Sequence, residues 1–331
     1  MTQNKKRIVF LDVATPALRA AFETQVPPGF QLTFAEADTD EKKAAAVANA
    51  DYVLVWSATI PASVIEAAKD VRLIQKIGEG TDRIDVAAAA RKGIVVAKTS
   101  GTNSVSVAEA AVMLILAALR WLPRLHNDLL AGKFSKFEYR PTSYEVRGKQ
   151  VGIVGIGKIG KLVAEQLQGF NASLVYYDVV GLPASEEERL HIRRVSLEEL
   201  LRTSDVITLH VPLIPATRGM IDARAIAMMK PTATLINTCR GPVIDEQALY
   251  DALAQKRIRA AGIDALWKEP PDFNSPFFKL DNVVWMPHCA GGTVDAELEG
   301  IKRGFSNIVL VDSGKALDPQ DIAPVPKAAA K

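Results

Sequence analysis

Val151-Gly152-Ile153-Val154-Gly155-Ile156-Gly157-Lys158-Ile159-Gly160 decides the fold: an apolar β-type run, a Gly-x-Gly-x-x-Gly turn, and the opening of a helical stretch over 159–168. The first glycine permits a tight turn, the second lets backbone approach a pyrophosphate, and the third lets helix pack closely on strand, with phosphate at the positive helix end. Any glycine-rich turn can show this pattern, so its surroundings carry the reading. The next apolar run, 173–178, ends on Asp178, eighteen residues after Gly160. That spacing suits an acid accepting hydrogen bonds from an adenosine ribose. Val179 and Val180 follow, no arginine stands ready for a 2′-phosphate, and a carboxylate repels one. NAD is therefore favoured over NADP.

The alternation runs outward in both directions. Downstream, residues 206–211, 234–237, 259–264 and 283–286 read as strands. Ser196 with Glu199 makes a capping box for a helix to Arg202, and Asp245 caps the helix carrying Ala248, Leu249, Leu253 and Ala254. Upstream, 8–11, 52–55, 73–76 and 94–97 read as strands, with helices over 41–49, 62–68 and 85–92. Such a rhythm implies parallel sheets covered on both faces. Residues 104–121 form a long helix that is apolar nearly all the way round, as a core helix is. The stretch 124–147, with Gly132, Pro141 and several aromatics, reads as an irregular arm and a candidate subunit contact. A last helix over 294–311 closes the fold, and the Pro- and Ala-rich tail from Asp321 reads as frayed.

Composition narrows the classes. In 331 residues a formal net charge of +2 leaves no nucleic-acid footprint. The longest apolar run, 110–119, is too short to span a membrane, and no secretory signal opens the chain. Two cysteines, Cys239 and Cys289, make neither a disulfide framework nor a metal-ligand spacing, so no metal is expected and a reducing, cytoplasmic setting fits.

Ligands of open α/β sheets bind beyond the carboxyl ends of the strands. Arg240 follows 234–237, Asp264 ends 259–264 with Glu269 in the loop beyond, and His288 follows 283–286. These side chains suit hydride transfer to a 2-oxo acid. Arg240 offers a planar fork to the carboxylate and polarises the carbonyl. His288 donates and retakes the alcohol proton, Glu269 orients the imidazole, and Asp264 holds the nicotinamide region. The blander readings are a surface arginine and a Glu-Pro turn. His210, near a strand end without such glycine-rich surroundings, reads as cofactor-edge or structural.

On these motifs the chain resembles the D-isomer-specific 2-hydroxyacid dehydrogenase family from about residue 52 to 324, through 76–85, 103–109, 155–160, 210–217, 237–245, 264–270 and 287–292. The resemblance implies that Arg240, Glu269 and His288 are the catalytic set and that Asp264 contacts nicotinamide. It places cofactor contacts at Lys158, Ile159, Asp178, Pro212, Thr217, Thr238 and Gly291, with Val211 and Cys239 beside them. It gives the substrate carboxylate to the backbone of Gly78-Glu79-Gly80, together with Arg240 and His288. The implied architecture is a doubly wound, parallel-sheet Rossmann NAD domain, 104–293, inserted in a smaller flavodoxin-like α/β substrate domain made of 1–103 and 294–331. The implied assembly is a homodimer, and the implied reaction is the NAD-dependent, reversible reduction of a small 2-oxo acid, docked between the domains, to the D-2-hydroxy acid.

Two residues depart from the family pattern. Glu79 replaces a small or apolar residue and would repel an anionic substrate unless Lys76 or Arg83 neutralises it, the substrate pairs with it, or it points to solvent. Trp56 stands where 3-phosphoglycerate dehydrogenases carry a phosphate-binding arginine, and the chain ends soon after its closing helix; both argue against phosphoglycerate. The rival readings are an NAD(H)-sensing, corepressor-like binding protein of the same fold and a phosphite or formate dehydrogenase, the latter weakened because formate dehydrogenases carry Gln where Glu269 stands.

Overall fold

Short runs such as Tyr52-Val53-Leu54-Val55 and Thr234-Leu235-Ile236-Asn237 are buried along their whole length. Strands buried on both faces belong to parallel sheets with helices on either side. The computed structural model, which describes residues 5–325, contains two such sheets in two compact units. One unit comprises Met1–Asn103 with Thr293–Lys331, and the other Ser104–Gly292.

In the first unit the strands are β1 (Lys6–Phe10), β2 (Phe30–Phe34), β3 (Tyr52–Val55), β4 (Leu73–Lys76) and β5 (Val95–Lys98). They pair in parallel in the order β2-β1-β3-β4-β5, the flavodoxin-like order. The helices between them are α1 (Pro16–Glu23), α2 (Asp40–Val47), α3 (Ala62–Glu66) and α4 (Val86–Arg91).

The second unit opens with α5 (Ser104–Leu119), buried on most faces, and α6 (Leu122–Leu130). Its strands are β6 (Gln150–Val154), β7 (Ser173–Tyr177), β8 (Ile192–Arg194), β9 (Val206–Leu209), β10 (Thr234–Asn237), β11 (Ala260–Ile263) and β12 (Val283–Trp285). Its remaining helices are α7 (Lys158–Gln168), α8 (Ala184–Leu190), α9 (Leu197–Thr203), α10 (Ala223–Ala227) and α11 (Glu246–Ala254). The all-parallel order β12-β11-β10-β9-β6-β7-β8 reverses between β6 and β9. That switch point is where doubly wound sheets bind ligands, and Gly155 lies just beyond it.

The last helix, α12 (Val294–Asp312), returns to the first unit. Ile301, Phe305 and Ile308 pack there with Ile8, Phe10 and Leu54. Gly304 permits the approach: a Cβ on it would lie 2.5 Å from Ile77 Cδ1.

The expected caps form. Ser196 Oγ accepts from Glu199 N at 3.1 Å, and Asp245 accepts from Ala248 N at 2.8 Å. The capping box is half made, because the Glu199 carboxylate instead takes Arg193.

Other expectations fail for identifiable reasons. Residues 124–147 are not wholly irregular, since Leu122–Leu130 is helical with Pro123 in its first turn and no buried residue, so no core pattern marked it. Edge strand β8 carries Arg193 and Arg194, and β2 and the short helices α1, α8 and α10 lack a long apolar stripe. The tail does not fray from Asp321. That side chain is fully buried, accepting from Arg303 Nε at 2.7 Å and Asn307 Nδ2 at 3.1 Å. Ala323 N donates to Val96 O at 2.9 Å. Of the tail assigned as frayed, residues 326–331 lie outside the described residues.

Candidate active site

The second unit presents its reactive side chains from neighbouring strand ends. Gly155 has φ +95°, and a Cβ there would sit 2.6 Å from the His210 carbonyl oxygen beyond β9. A Cβ on Gly160 would overlap the Gly155 carbonyl oxygen, so α7 can begin against the turn only without one. At Gly157 a Cβ would meet nothing. Gly157 is also the N-cap of α7 and makes no side-chain cap. Asp178, beyond β7, holds its carboxylate between Ile156 N at 2.8 Å and Val180 N at 3.3 Å.

Two buried polar atoms at the ends of adjacent strands, His210 Nδ1 and Thr238 Oγ1, have no hydrogen-bond partner among the described residues. Buried polar atoms ordinarily have partners. Open space at Gly157, a helix start without a side-chain cap, a fixed carboxylate and two unpartnered polar atoms are what a dinucleotide requires, and the residues fit one. The His210 ring bonds Thr208 Oγ1 through Nε2 at 2.8 Å, and burial pulls its pKa down to about 3. The ring is therefore neutral. Thr217 Oγ1 donates to Pro212 O at 2.5 Å and accepts from Ile214 N at 2.9 Å, fixing the loop that follows Val211.

Arg240, Glu269 and His288 leave the ends of β10, β11 and β12, three consecutive strands. The buried Asn237 shapes the first turn: its Oδ1 accepts from Cys239 N at 3.0 Å and its Nδ2 donates to Arg240 O at 3.0 Å. Arg240 Nη1 donates to Cys239 O at 2.7 Å. Burial pushes the Cys239 thiol up to about 11, so it packs as a neutral group. This loop meets the next one closely, since a Cβ on Gly241 would fall 2.5 Å from the Leu266 carbonyl. Trp267 Nε1 also donates to Ile244 O at 2.7 Å.

Glu269 Oε1 sits 2.7 Å from His288 Nδ1 and accepts from Leu266 N at 3.2 Å. His288 has φ +53°, a left-handed conformation costly for a non-glycine residue. Asp264 sustains it. The Asp264 carbonyl accepts from His288 N at 2.9 Å, and its carboxylate accepts from Cys289 N at 2.8 Å and Ala290 N at 3.1 Å. Burial holds its pKa above the usual carboxylate range, partly offset by those amides. Sequence reasoning gave Asp264 to the nicotinamide region and missed its hold on the His288 turn, because a backbone bond across 25 residues leaves no local pattern. Gly291 follows that turn and is half-buried. Asn237 was likewise missed.

In the first unit, Gly78 has φ +109° and donates from N to Thr99 Oγ1 at 2.7 Å. Glu79 is 45% exposed, yet it does not simply point to solvent: Oε1 pairs with Lys98 Nζ. Its Oε2 accepts from Gly101 N at 3.2 Å. Lys98 supplies an opposite charge beyond the Lys76 and Arg83 considered from sequence. Lys76 Nζ bonds the Ile77 carbonyl and Arg83 Nη1 the Ser57 carbonyl. Trp56 is a packing residue, edge-on to Phe22 with ring centroids 6.4 Å apart.

Residues 112–290 match the profile of the D-isomer specific 2-hydroxyacid dehydrogenase NAD binding domain. A hydroxypyruvate reductase from Thermotoga maritima is 40% identical over 250 residues, 75% of this chain and 80% of that protein. A D-3-phosphoglycerate dehydrogenase from Archaeoglobus fulgidus is 35% identical over 287 residues, 86% of this chain and 54% of that protein, so the chain spans about half the length of such relatives. The solved NAD-dependent formate dehydrogenase from Staphylococcus aureus, in complex with NAD, superposes with a TM-score of 0.85 at 27% identity, covering 96% of this chain and 99% of that one.

Proposed function

Because the chain belongs to the D-isomer-specific 2-hydroxyacid dehydrogenase family, we propose that it reduces a small 2-oxo acid reversibly to the D-2-hydroxy acid with NAD. The observation that carries this reading is the 2.7 Å bond between His288 Nδ1 and Glu269 Oε1 at the end of the cofactor-binding sheet. With Nδ1–H engaged, the ring presents Nε2 to the substrate. In reduction, Nε2–H gives its proton to the carbonyl oxygen; in oxidation, Nε2 takes it back. Glu269 holds the ring orientation through both directions. Arg240 binds the substrate carboxylate with two parallel N–H donors. When bound, the nicotinamide supplies or accepts the hydride, and the turn at 155–160 with Asp178 holds its dinucleotide.

The second unit is the NAD domain of this reading and the first the substrate domain. The partner is a second copy of the chain. Helix α6 exposes Leu122, Leu125 and Leu129 on one face, and Phe134 and Phe137 follow, 79% and 63% exposed. Apolar area of this kind marks a protein contact. Among the described residues no single helix is long and apolar enough to cross a membrane, and both cysteines are free thiols; we place the protein in the cytoplasm.

The test is NADH oxidation with glyoxylate, hydroxypyruvate, pyruvate, bulkier 2-oxo acids and 3-phosphohydroxypyruvate, and NAD reduction with formate and phosphite. Turnover of unphosphorylated 2-oxo acids is expected. Tight NADH binding without turnover of any member would replace the enzyme with a nucleotide-sensing protein.

A further inference from the structure

The adenosine end of the cofactor site holds a cation that the sequence hides. Asp178 and Val179 lie just beyond β7, and Arg194 ends β8, the neighbouring strand, in register with Tyr176. Its Nη2 donates to the Asp178 carbonyl at 2.8 Å and the Val179 carbonyl at 3.1 Å. Its Nη1 lies 2.9 Å from where a Cβ on Gly181 would stand, so the guanidinium lies against the turn at Gly181. The turn itself is fixed. The Asp178 carboxylate takes Ile156 N and Val180 N, and Leu182 N donates to Tyr176 Oη at 2.7 Å. No arginine follows Asp178 directly in sequence, yet one is present beside it in the fold.

We propose that Arg194 is a second determinant of cofactor choice: a guanidinium that can take the 2′-phosphate of a phosphorylated dinucleotide, leaving exclusion of that cofactor to the Asp178 carboxylate alone. The proposal rests on Asp178 as the ribose acceptor. A ribose 2′-hydroxyl donates to a carboxylate, whereas a 2′-phosphate is repelled by it and drawn to a guanidinium. An arginine has five N–H donors, and the two carbonyl bonds engage only Nη2. Nε and Nη1 keep the fork geometry that matches phosphate. The carbonyl bonds hold the charge against the backbone of Asp178 and Val179, at the end of the strand that carries the carboxylate.

The experiment is direct titration of NADH and NADPH by fluorescence, without substrate, on the wild type, Asp178→Ser, Arg194→Ala, Arg194→Lys and the Asp178→Ser/Arg194→Ala pair, with thermal melts to confirm folding. The wild type should prefer NADH. Asp178→Ser should weaken NADH, tighten NADPH and move their ratio on the order of a hundredfold. Adding Arg194→Ala should remove about tenfold or more of the NADPH affinity while leaving NADH as in Asp178→Ser. Arg194→Lys should keep part of the NADPH affinity that Arg194→Ala loses. Equal loss of both cofactors in Arg194→Ala would make Arg194 a structural clasp and overturn the proposal. So would NADPH binding in the double variant as tight as in Asp178→Ser. An unchanged NADH affinity in Asp178→Ser would remove the ribose reading, and this inference with it. Because no turnover is read, these outcomes stay separate from those of the substrate panel.

Discussion

The loops 155–160 in the second unit and 78–80 in the first are both rich in glycine, but different forces define them. Around 155–160 the backbone itself sets the limits, with the Gly155 carbonyl filling the Cβ position of Gly160 and the His210 carbonyl that of Gly155. Around Gly78 the neighbours are side chains: Thr99 Oγ1 on Gly78 N, and Lys98 on Glu79. Where backbone fills the space, as at Gly155 and Gly160, no atom can be added, whereas a loop shaped by charged side chains can be retuned. The first suits a cofactor of fixed shape, and the second suits a substrate that differs among relatives.

Gly160→Ala should break the first loop outright. The added methyl overlaps a carbonyl oxygen fixed in a strand-to-helix turn, so a loss of about 3 kcal/mol or more is expected in chemical denaturation, with NADH binding lost as well. Wild-type stability and full NADH affinity in this variant would contradict the steric account.

Acid should weaken the same region next. The His210 pKa falls from 6.5 to about 3 on burial. Below about pH 6.5 the unfolded chain binds a proton that the native ring refuses, so stability present at neutral pH is lost as pH falls toward 3. The slope is up to about 1.4 kcal/mol per pH unit. Denaturation curves of wild type and His210→Asn between pH 7 and 4.5 should differ by this slope, and parallel curves would refute the assignment.

The second loop should respond least. Lys98→Met should raise the KM of a 2-oxo acid about threefold to tenfold with kcat little changed, because it leaves the Glu79 carboxylate without its countercharge, whereas Glu79→Gln should not raise it. The exchanged pair Glu79→Lys/Lys98→Glu should recover part of the loss. A KM indifferent to all of these changes would show that the pair does not shape substrate binding.

The same contrast explains what the sequence revealed. The glycines, Asp178 and the run from Arg240 to His288 were legible because backbone sterics and strand ends leave local patterns. Strands β3, β4 and β10 matched to the residue because burial on both faces gave each a run of adjacent apolar residues. Lys98 and Arg194 were not legible. Each becomes a neighbour of its partner only through register between adjacent strands, Lys76 opposite Lys98 and Tyr176 opposite Arg194. Asp321 was hidden similarly, its partners Asn307 and Arg303 lying 14 and 18 residues away on α12.

The central claim is that His288 moves the proton while the dinucleotide turn binds independently of it. The direct measurement sets the single-turnover rate of NADH oxidation by the best 2-oxo acid beside the NADH dissociation constant, for wild type and His288→Asn. The account predicts a rate loss of about a thousandfold or more, with NADH affinity within about twofold of wild type. Undiminished hydride transfer in His288→Asn, or a loss confined to NADH binding, would contradict it.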